Sequence, residues 1–382
     1  MRIALIYIEA GKGHYIPSVA ICEALAQQGH EARYFNGFTE VFDRPDIGEM
    51  ASTWWRTMLH MPNVERRLEY ILDRIPYVSK KSYKIAKKSI ESFFIWLEEF
   101  KPDVIVPTQY SFSYIIPEII HEFNLPICCI TYSPDTYVTP IQSINPHTYR
   151  YLIASEEGRQ DLISHGVEPE KVELCAFPLR NDCYRQKQLT KQEARAKLGL
   201  KDRFTVLINL GGEGIASIKI IESVLKEDEQ IQFLVVGKMG ESALTDIEAI
   251  RAEHPLSDIV TPGFVTNINE WLYASDILVG KAGPNAMTEA LYCRRPYIVT
   301  SLLYMSDKVV GYFTKYHVGW YTNRVREQVK LILDAKNDQD FSVKMEKYFD
   351  SVPMVFGADK ISKQIVSIAE KYFQEHPKEQ EQ

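Results

Sequence analysis

The sequence predicts an α/β chain built as two doubly wound halves that face one another across a cleft. Two observations predict the fold, and a third locates a ligand. An apolar run, Ile3-Ala4-Leu5-Ile6-Tyr7-Ile8, passes into the Gly-rich turn Glu9-Ala10-Gly11-Lys12-Gly13-His14 and then into a helical pattern. The same opening recurs at Phe204-Thr205-Val206-Leu207-Ile208-Asn209-Leu210, followed by Gly211-Gly212-Glu213-Gly214. Unbroken apolar runs suit central parallel strands, which are covered on both faces. The third observation is Asp276-Ile277-Leu278-Val279 leading through Gly280-Lys281-Ala282-Gly283-Pro284-Asn285 into a helical pattern that carries Glu289. A turn of small residues lets the backbone approach a ligand, and the helix start offers free N–H groups and a positive dipole end to a diphosphate. Glu289, a turn or more into that helix, can accept two ribose hydroxyls. An ordinary strand–turn–helix with a solvated Glu would carry the same letters.

At 382 residues the chain exceeds one typical core and suits two. Its apolar share of 45% and charged share of 25% are those of a globular protein. A net charge of -7 argues against a general nucleic-acid binder, which needs a basic surface. Met1-Arg2 runs straight into the first apolar run, so no signal peptide is expected, and no segment has the length to span a bilayer. The Cys residues at 22, 128, 129, 175, 183 and 293 show neither a Cys-x-x-Cys pair nor zinc spacing. They read as buried thiols of a reducing cytoplasm, which sets the expected location.

In chain order, the first strand is followed by a helix from about Pro17 to Gln28, closed by Gly29, and by a strand at Glu31-Ala32-Arg33-Tyr34-Phe35. Residues 40 to 101 are mostly helical by pattern. Trp54, Trp55, Met58, Leu59 and Met61 cluster there. Tyr83, Ala86, Ile90, Phe93 or Phe94, and Leu97 fall at helical spacing beside Lys80, Lys81, Lys84, Lys87 and Lys88. Two readings fit: core-facing helices with a solvated basic face, or a surface for a hydrophobic acceptor or an anionic membrane. Strands follow at Pro102 to Thr108, Pro126 to Thr131, Tyr149 to Ala154 and Val172 to Cys175, with helices near Tyr114 to Phe123 and Glu156 to His165. The first domain is placed at 1–180.

A polar stretch at 181–203 reads as a linker with a short amphipathic helix. The second domain, 204–355, adds strands at Phe233 to Val236, Ile259 to Phe264 and Ile277 to Val279. Residues 356–382 form a terminal helix and polar tail. Ligands in such sheets bind beyond the strand carboxyl ends, so both Gly loops and the 280–291 stretch are expected to border the cleft.

With these residues in place, the chain resembles the GT-B glycosyltransferases. Within them it is most similar to the family of diacylglycerol glucosyltransferases, monogalactosyldiacylglycerol synthases and the lipid-II-forming GlcNAc transferase. The likeness rests on Ala10-Gly11-Lys12-Gly13-His14-x-x-Pro17, on Gly166-Val167 through Phe177-Pro178-Leu179-Arg180, and on Val236-Gly237-Lys238. It rests further on Gly263-Phe264-Val265 and on Lys281-Ala282-Gly283 through Thr288-Glu289-Ala290. The resemblance implies that Gly11, Gly13 and His14 form a loop under the sugar, with His14 as general base for the acceptor hydroxyl. An imidazole can take that proton near neutral pH; a structural hydrogen bond is the plain alternative. It also implies that Phe264 and Val265 flank the base, and that Gly212, Gly283, Pro284 and Asn285 border the diphosphate. Glu289 would hold the ribose, and Asp135 serve as a second base or acceptor contact in competition with Tyr132.

The sequence departs from the family where the donor sugar is gripped. Tyr304-Met305-Ser306-Asp307 and Val310 stand where the family has Pro-Gly-Gln-Glu and a later Asn, so Ser306 and Asp307 are the expected sugar contacts. Lost amide donors matter wherever selection rests on sugar hydroxyls. No Asp-x-Asp falls in a plausible place, since Asp338-Gln339-Asp340 reads as part of a late helix. The expectation is therefore an inverting transferase without cofactor or metal, taking a nucleotide-sugar donor, most plausibly UDP-linked, and a hydrophobic hydroxyl-bearing acceptor. The alternatives are a UDP-sugar 2-epimerase and a non-catalytic nucleotide-sugar-binding partner. No nucleic acid is expected as a ligand, and a peripheral contact with the inner face of the membrane stays open.

Overall fold

Two six-stranded sheets, parallel throughout, organise the described residues. The structure is a computed structural model. It describes every residue except 10–12, 76, 180–187, 212–217, 305 and 378–382, and leaves out the side chains of 77 and 78. The chain divides into Met1–Tyr184 with Met354–Gln382 as one compact unit, and Arg185–Pro353 as the second.

In the first unit the strands are β1 (Arg2–Tyr7), β2 (Glu31–Asn36), β3 (Val104–Pro107), β4 (Cys128–Tyr132), β5 (Arg150–Ile153) and β6 (Val172–Leu174). Their order is β2-β1-β3-β4-β5-β6. Ile3, Leu5, Ile6, Val104, Ile105 and Val106 are wholly buried, because helices cover both sheet faces and leave no side for water. The chain leaves β1 toward β2 on one side and resumes at β3 on the other. That reversal opens a crevice beyond the carboxyl ends of β1 and β3.

The helix Tyr15–Gln27 follows β1 and packs on the final helix, Ala358–Glu375, through Ala20, Ala24 and Ala358. Small side chains let the two backbones come close. The bridge between Phe177 and Phe356 ties the start of that return segment to the end of the first sheet. The helical stretch after β2 resolves into Pro45–Leu59, Pro62–Leu72, Tyr77–Ala86 and Ile90–Phe100; the first two open with Pro at the first turn, where its missing N–H costs nothing. Phe93, Trp96 and Phe100 are buried in the core with Phe42 and Phe112, while Lys80, Lys81, Lys84 and Lys88 stay exposed.

In the second unit the strands are β7 (Thr205–Asn209), β8 (Gln232–Val236), β9 (Asp258–Gly263), β10 (Ile277–Lys281), β11 (Tyr297–Ser301) and β12 (Gly319–Tyr321). Their order, β12-β11-β10-β7-β8-β9, reverses at β7 and β10. The periodicity reading named neither β11 nor β12. The first is a short apolar run behind Pro296, and the second has three residues, too few to show alternation. The helix Lys191–Leu198 carries a capping box between Thr190 and Glu193 and ends at Gly199 with φ +66°.

One local expectation is corrected. Asp338-Gln339-Asp340 does not lie in a helix but in the turn between Val325–Asn337 and Phe341–Asp350. The Asp338 carboxylate accepts from the backbone N–H of Asp340 and from Lys344, so it caps the turn instead of extending the helix. Among the described residues, no helix is long and apolar enough to cross a membrane.

Candidate functional site

In the first unit the loops after β1 and β3 meet across the switch point. The Nδ1 of His14 lies 2.8 Å from the carbonyl oxygen of Thr108. A carbonyl only accepts, so Nδ1 carries the proton, and the lone pair of a neutral ring stands on Nε2. Ser18, buried on the following helix, donates to the His14 carbonyl at 2.8 Å and lies 2.9 Å from the Thr108 hydroxyl. The Thr108 N–H in turn reaches the Ile6 carbonyl at 2.9 Å. The imidazole is thus held by backbone and buried hydroxyls in a tautomer able to accept a proton.

Asp135, beyond the end of β4, borders the same small cavity as His14, together with Gln109, Tyr110 and Tyr132. Among the described residues no donor hydrogen-bonds its carboxylate. Burial raises the Asp135 pKa, and the nearby His14 acts against that rise. Tyr132 is fully buried, and its hydroxyl finds no hydrogen-bond partner among the described residues. Tyr110 sits in acidic company: burial raises its pKa first, then Glu69, Asp135 and Glu65. Of the hydroxyls that line the cavity, those of Thr131 and Tyr132 find no hydrogen-bond partner among the described residues.

In the second unit the carboxyl ends of β7, β8, β9 and β10 come close. Gly237 has φ +116°, and a Cβ there would stand 2.8 Å from the Gly211 nitrogen, so only Gly lets these two loops touch. Lys238 N–H donates to the Gly211 carbonyl at 3.0 Å. Gly283 is the N-cap of the helix Pro284–Tyr292, whose first turn contains Asn285 and whose second contains Glu289. Both of those side chains are half-buried. Glu289 is near enough to Tyr297 to help burial raise the phenol pKa, and the Tyr297 hydroxyl donates to the Lys281 carbonyl at 2.7 Å. Phe264, 60% exposed, and the half-buried Val265 follow the edge strand β9. Three strand spacings separate β9 from β10, about 14 Å in all, the span of an extended ligand.

The expected donor residues Phe264, Val265, Gly283, Pro284, Asn285 and Glu289 thus stand beyond the carboxyl ends of one sheet. Ser306 and Asp307 begin the helix Ser306–Lys315 that follows β11; Ser306 is buried and Asp307 exposed. Gly13 directly precedes His14, and a Cβ on it would meet nothing within 4 Å. Gly11 and Gly212 lie outside the described residues. Sequence reasoning gave Lys281 no role of its own: its Cε passes 3.6 Å from where a Gly211 Cβ would stand, so a cation lies at the β7/β10 switch point. Its place directly before Ala282-Gly283 was the available signal. No group of three or more His, Cys, Asp or Glu able to hold a metal occurs among the described residues.

No family model matches the chain. The chain is similar to monogalactosyldiacylglycerol synthase 2 of Arabidopsis thaliana, 23% identical over 62% of this chain and 52% of that protein. It is also similar to the processive diacylglycerol beta-glucosyltransferase of Staphylococcus haemolyticus, 22% identical over 66% of this chain and 72% of that one. The match thus spans only about half of the plant relative. Among solved structures, a glycosyltransferase of kitacinnamycin superposes with a TM-score of 0.63 at 13% identity, covering 96% of this chain and 99% of that one. A UDP-GlcNAc 2-epimerase of Neisseria meningitidis bound to UDP-GlcNAc does so at 0.58 and 12%, covering 97% and 100%. The chain has the GT-B fold and is a homologue of the diacylglycerol glucosyltransferases and monogalactosyldiacylglycerol synthases.

Proposed function

We propose that the chain is an inverting, metal-independent glycosyltransferase that moves a sugar from a UDP-linked donor to a hydroxyl of a lipid or similar hydrophobic acceptor. The observation that carries this reading is His14, its Nδ1 proton tied to Thr108, sharing a cavity with Asp135, whose carboxylate has no donor among the described residues. The Nε2 lone pair takes the acceptor hydroxyl proton while that oxygen attacks the anomeric carbon. The bond from that carbon to the diphosphate breaks on the opposite face, so configuration inverts and UDP leaves. Asp135 stabilises the imidazolium that forms. The names of the two curated relatives support a lipid acceptor, and the UDP-GlcNAc in a protein of like fold supports the donor.

In this reading 1–180 is the acceptor half and 204–355 the donor half, joined by 181–203 and followed by the helix and tail of 356–382. Phe264 and Val265 flank the base, and Glu289 accepts the ribose hydroxyls. Gly283 to Asn285 and Lys281 face the diphosphate. Helix N–H groups and the Lys281 ammonium neutralise the leaving charge without a metal ion. Ser306 and Asp307 contact the sugar. A peripheral membrane contact is supported by exposed Met50, Trp54, Tyr70 and Ile71 on two neighbouring helices, with exposed lysines on the third.

The test is a panel of UDP-, dTDP- and GDP-sugars with diacylglycerol vesicles, read as released nucleoside diphosphate and glycolipid, with and without EDTA. Acceptor-dependent UDP release unaffected by EDTA supports the proposal, and loss with EDTA overturns its metal-free part. Interconversion of two UDP-sugars with no acceptor would mark an epimerase, the reading kept open by the Neisseria likeness. UDP-sugar binding without turnover would mark a non-catalytic partner.

A further inference from the structure

The amino ends of β10 and β11, opposite the strand ends that carry Gly283 and Ser306, border a second cavity of about 290 Å³. That is the size of a small-molecule site. Nothing in the proposed reaction uses it. Its lining includes Lys191, Arg294 and Arg295 against Asp276 and Glu346, three cations to two carboxylates. Asp276 is already divided between Lys191 and Arg195, and Glu346 is paired with Arg294.

Arg295 pairs directly with neither, and Asp276 and Glu346 act on it only from beyond ion-pair distance. Its Nε donates to the Leu272 carbonyl at 2.8 Å, Nη1 to that of Arg294 at 3.0 Å and Nη2 to that of Tyr273 at 3.2 Å. A guanidinium has five N–H groups, so two remain. Among the described residues it meets no carboxylate at ion-pair distance. Beside it the Tyr273 hydroxyl, on a residue 4% exposed, has the Cys293 thiol as its neighbour and no oxygen or nitrogen partner among the described residues. A half-buried guanidinium held by carbonyls, with no carboxylate at ion-pair distance, keeps its remaining N–H groups for an anion. A planar fork beside a hydroxyl fits the oxygens of a phosphate.

We infer that this cavity is an anion site for a small phosphate-bearing molecule, separate from the proposed donor seat. The test is calorimetry on the full chain at fixed ionic strength with saturating UDP, using inorganic phosphate and sn-glycerol 3-phosphate as probes. Saturable binding beside UDP is expected, weakened about tenfold by Arg295→Lys and several-fold by Tyr273→Phe, with UDP affinity unchanged in both. Failure of both probes to bind with UDP present, or binding insensitive to both substitutions, overturns the inference. Arg295→Lys leaves three carbonyls to one ammonium. If it fails to fold, Tyr273→Phe decides alone, and unchanged phosphate affinity in it is fatal to the idea. Displacement of glycerol 3-phosphate by phosphatidic-acid vesicles would support the site with a lipid headgroup as its source. Binding indifferent to vesicles would support it with a soluble phosphate.

Discussion

The imidazole of His14 donates through Nδ1 to the carbonyl of Thr108 at 2.8 Å, joining the loop after β1 to the loop after β3. The bond spans the point where strand order reverses, so the fold itself orients the ring. Because the partner is a backbone carbonyl, no neighbouring side chain has to be charged to hold the tautomer. Nε2 is left as the acceptor.

His14→Ala is expected to lower turnover on the order of 10²–10⁴-fold, the range for loss of a general base. Affinity for UDP should stay near wild type, since that seat is assigned to the second unit. Single-turnover rates and UDP calorimetry check both halves; a rate within a few-fold of wild type would reduce His14 to a structural residue.

Ser18→Ala probes the support of the ring without touching it. Ser18 bonds both the His14 carbonyl and the Thr108 hydroxyl. Its loss should cut kcat about tenfold through a misplaced imidazole, with KM for donor unchanged. Ser18→Thr should restore part of the rate if the hydroxyl is what matters. Equal rates in wild type and Ser18→Ala would show that the Thr108 carbonyl suffices.

Asp135→Asn should separate stability from activity. Burial raises the Asp135 pKa, so the folded chain keeps this proton to higher pH than the unfolded chain. Between the ordinary aspartate value and the raised one, the folded state binds more protons, and stability falls as pH rises. Above the ordinary aspartate range this carboxyl is therefore a net cost to the folded state, and the Asn variant should unfold at higher urea at pH 7. That advantage should shrink as pH drops toward the ordinary aspartate range. Turnover should fall about 10²-fold if the carboxylate stabilises the imidazolium. Urea midpoints at pH 4 to 8 test the first part, and a variant no more stable at pH 7 than wild type contradicts it.

Glu289→Ala should weaken UDP binding at least about 10- to 100-fold, the loss of one charge-assisted bond worth about 1.5–3 kcal/mol. Calorimetry with UDP and uridine compares the variant with wild type. Equal affinity for UDP would take Glu289 out of the ribose seat.

Vesicle co-sedimentation examines the lysine-bearing surface. Lys80, Lys84 and Lys88 are exposed, as are Trp54 and Ile71 on the two preceding helices, whereas Lys87 pairs with Glu122. Each basic residue near an anionic surface adds about 1 kcal/mol and is screened by salt. Binding to phosphatidylglycerol vesicles should weaken at high salt and in the Lys80→Glu, Lys84→Glu, Lys88→Glu variant. Absence of binding at low salt would exclude this face as a membrane dock.

Most of the fold was legible along the chain because its causes are local. Ile3 to Ile8 and Phe204 to Leu210 are unbroken apolar runs, and such runs before Gly-rich turns can only be covered strands. The helix after Gly283 announced itself by Pro284 and by its spacing, and Glu289 took its place from that spacing. Short elements were harder: Gly319–Tyr321 has no room for a pattern, and Asp338-Gln339-Asp340 looked helical until its own side-chain bond made it a turn.

What depends on residues far apart in sequence appeared only once the chain was folded. His14 and Thr108 stand 94 positions apart, and strand order alone brings them into contact. Lys281 reaches Gly211 because β10 returns to lie beside β7. The lack of a direct ion pair at Arg295 follows from which carboxylates other cations have already taken, a sum over neighbours that no local window contains. Local propensity and hydrophobic period are written in each segment, whereas proximity, burial and charge balance are properties of the packed whole.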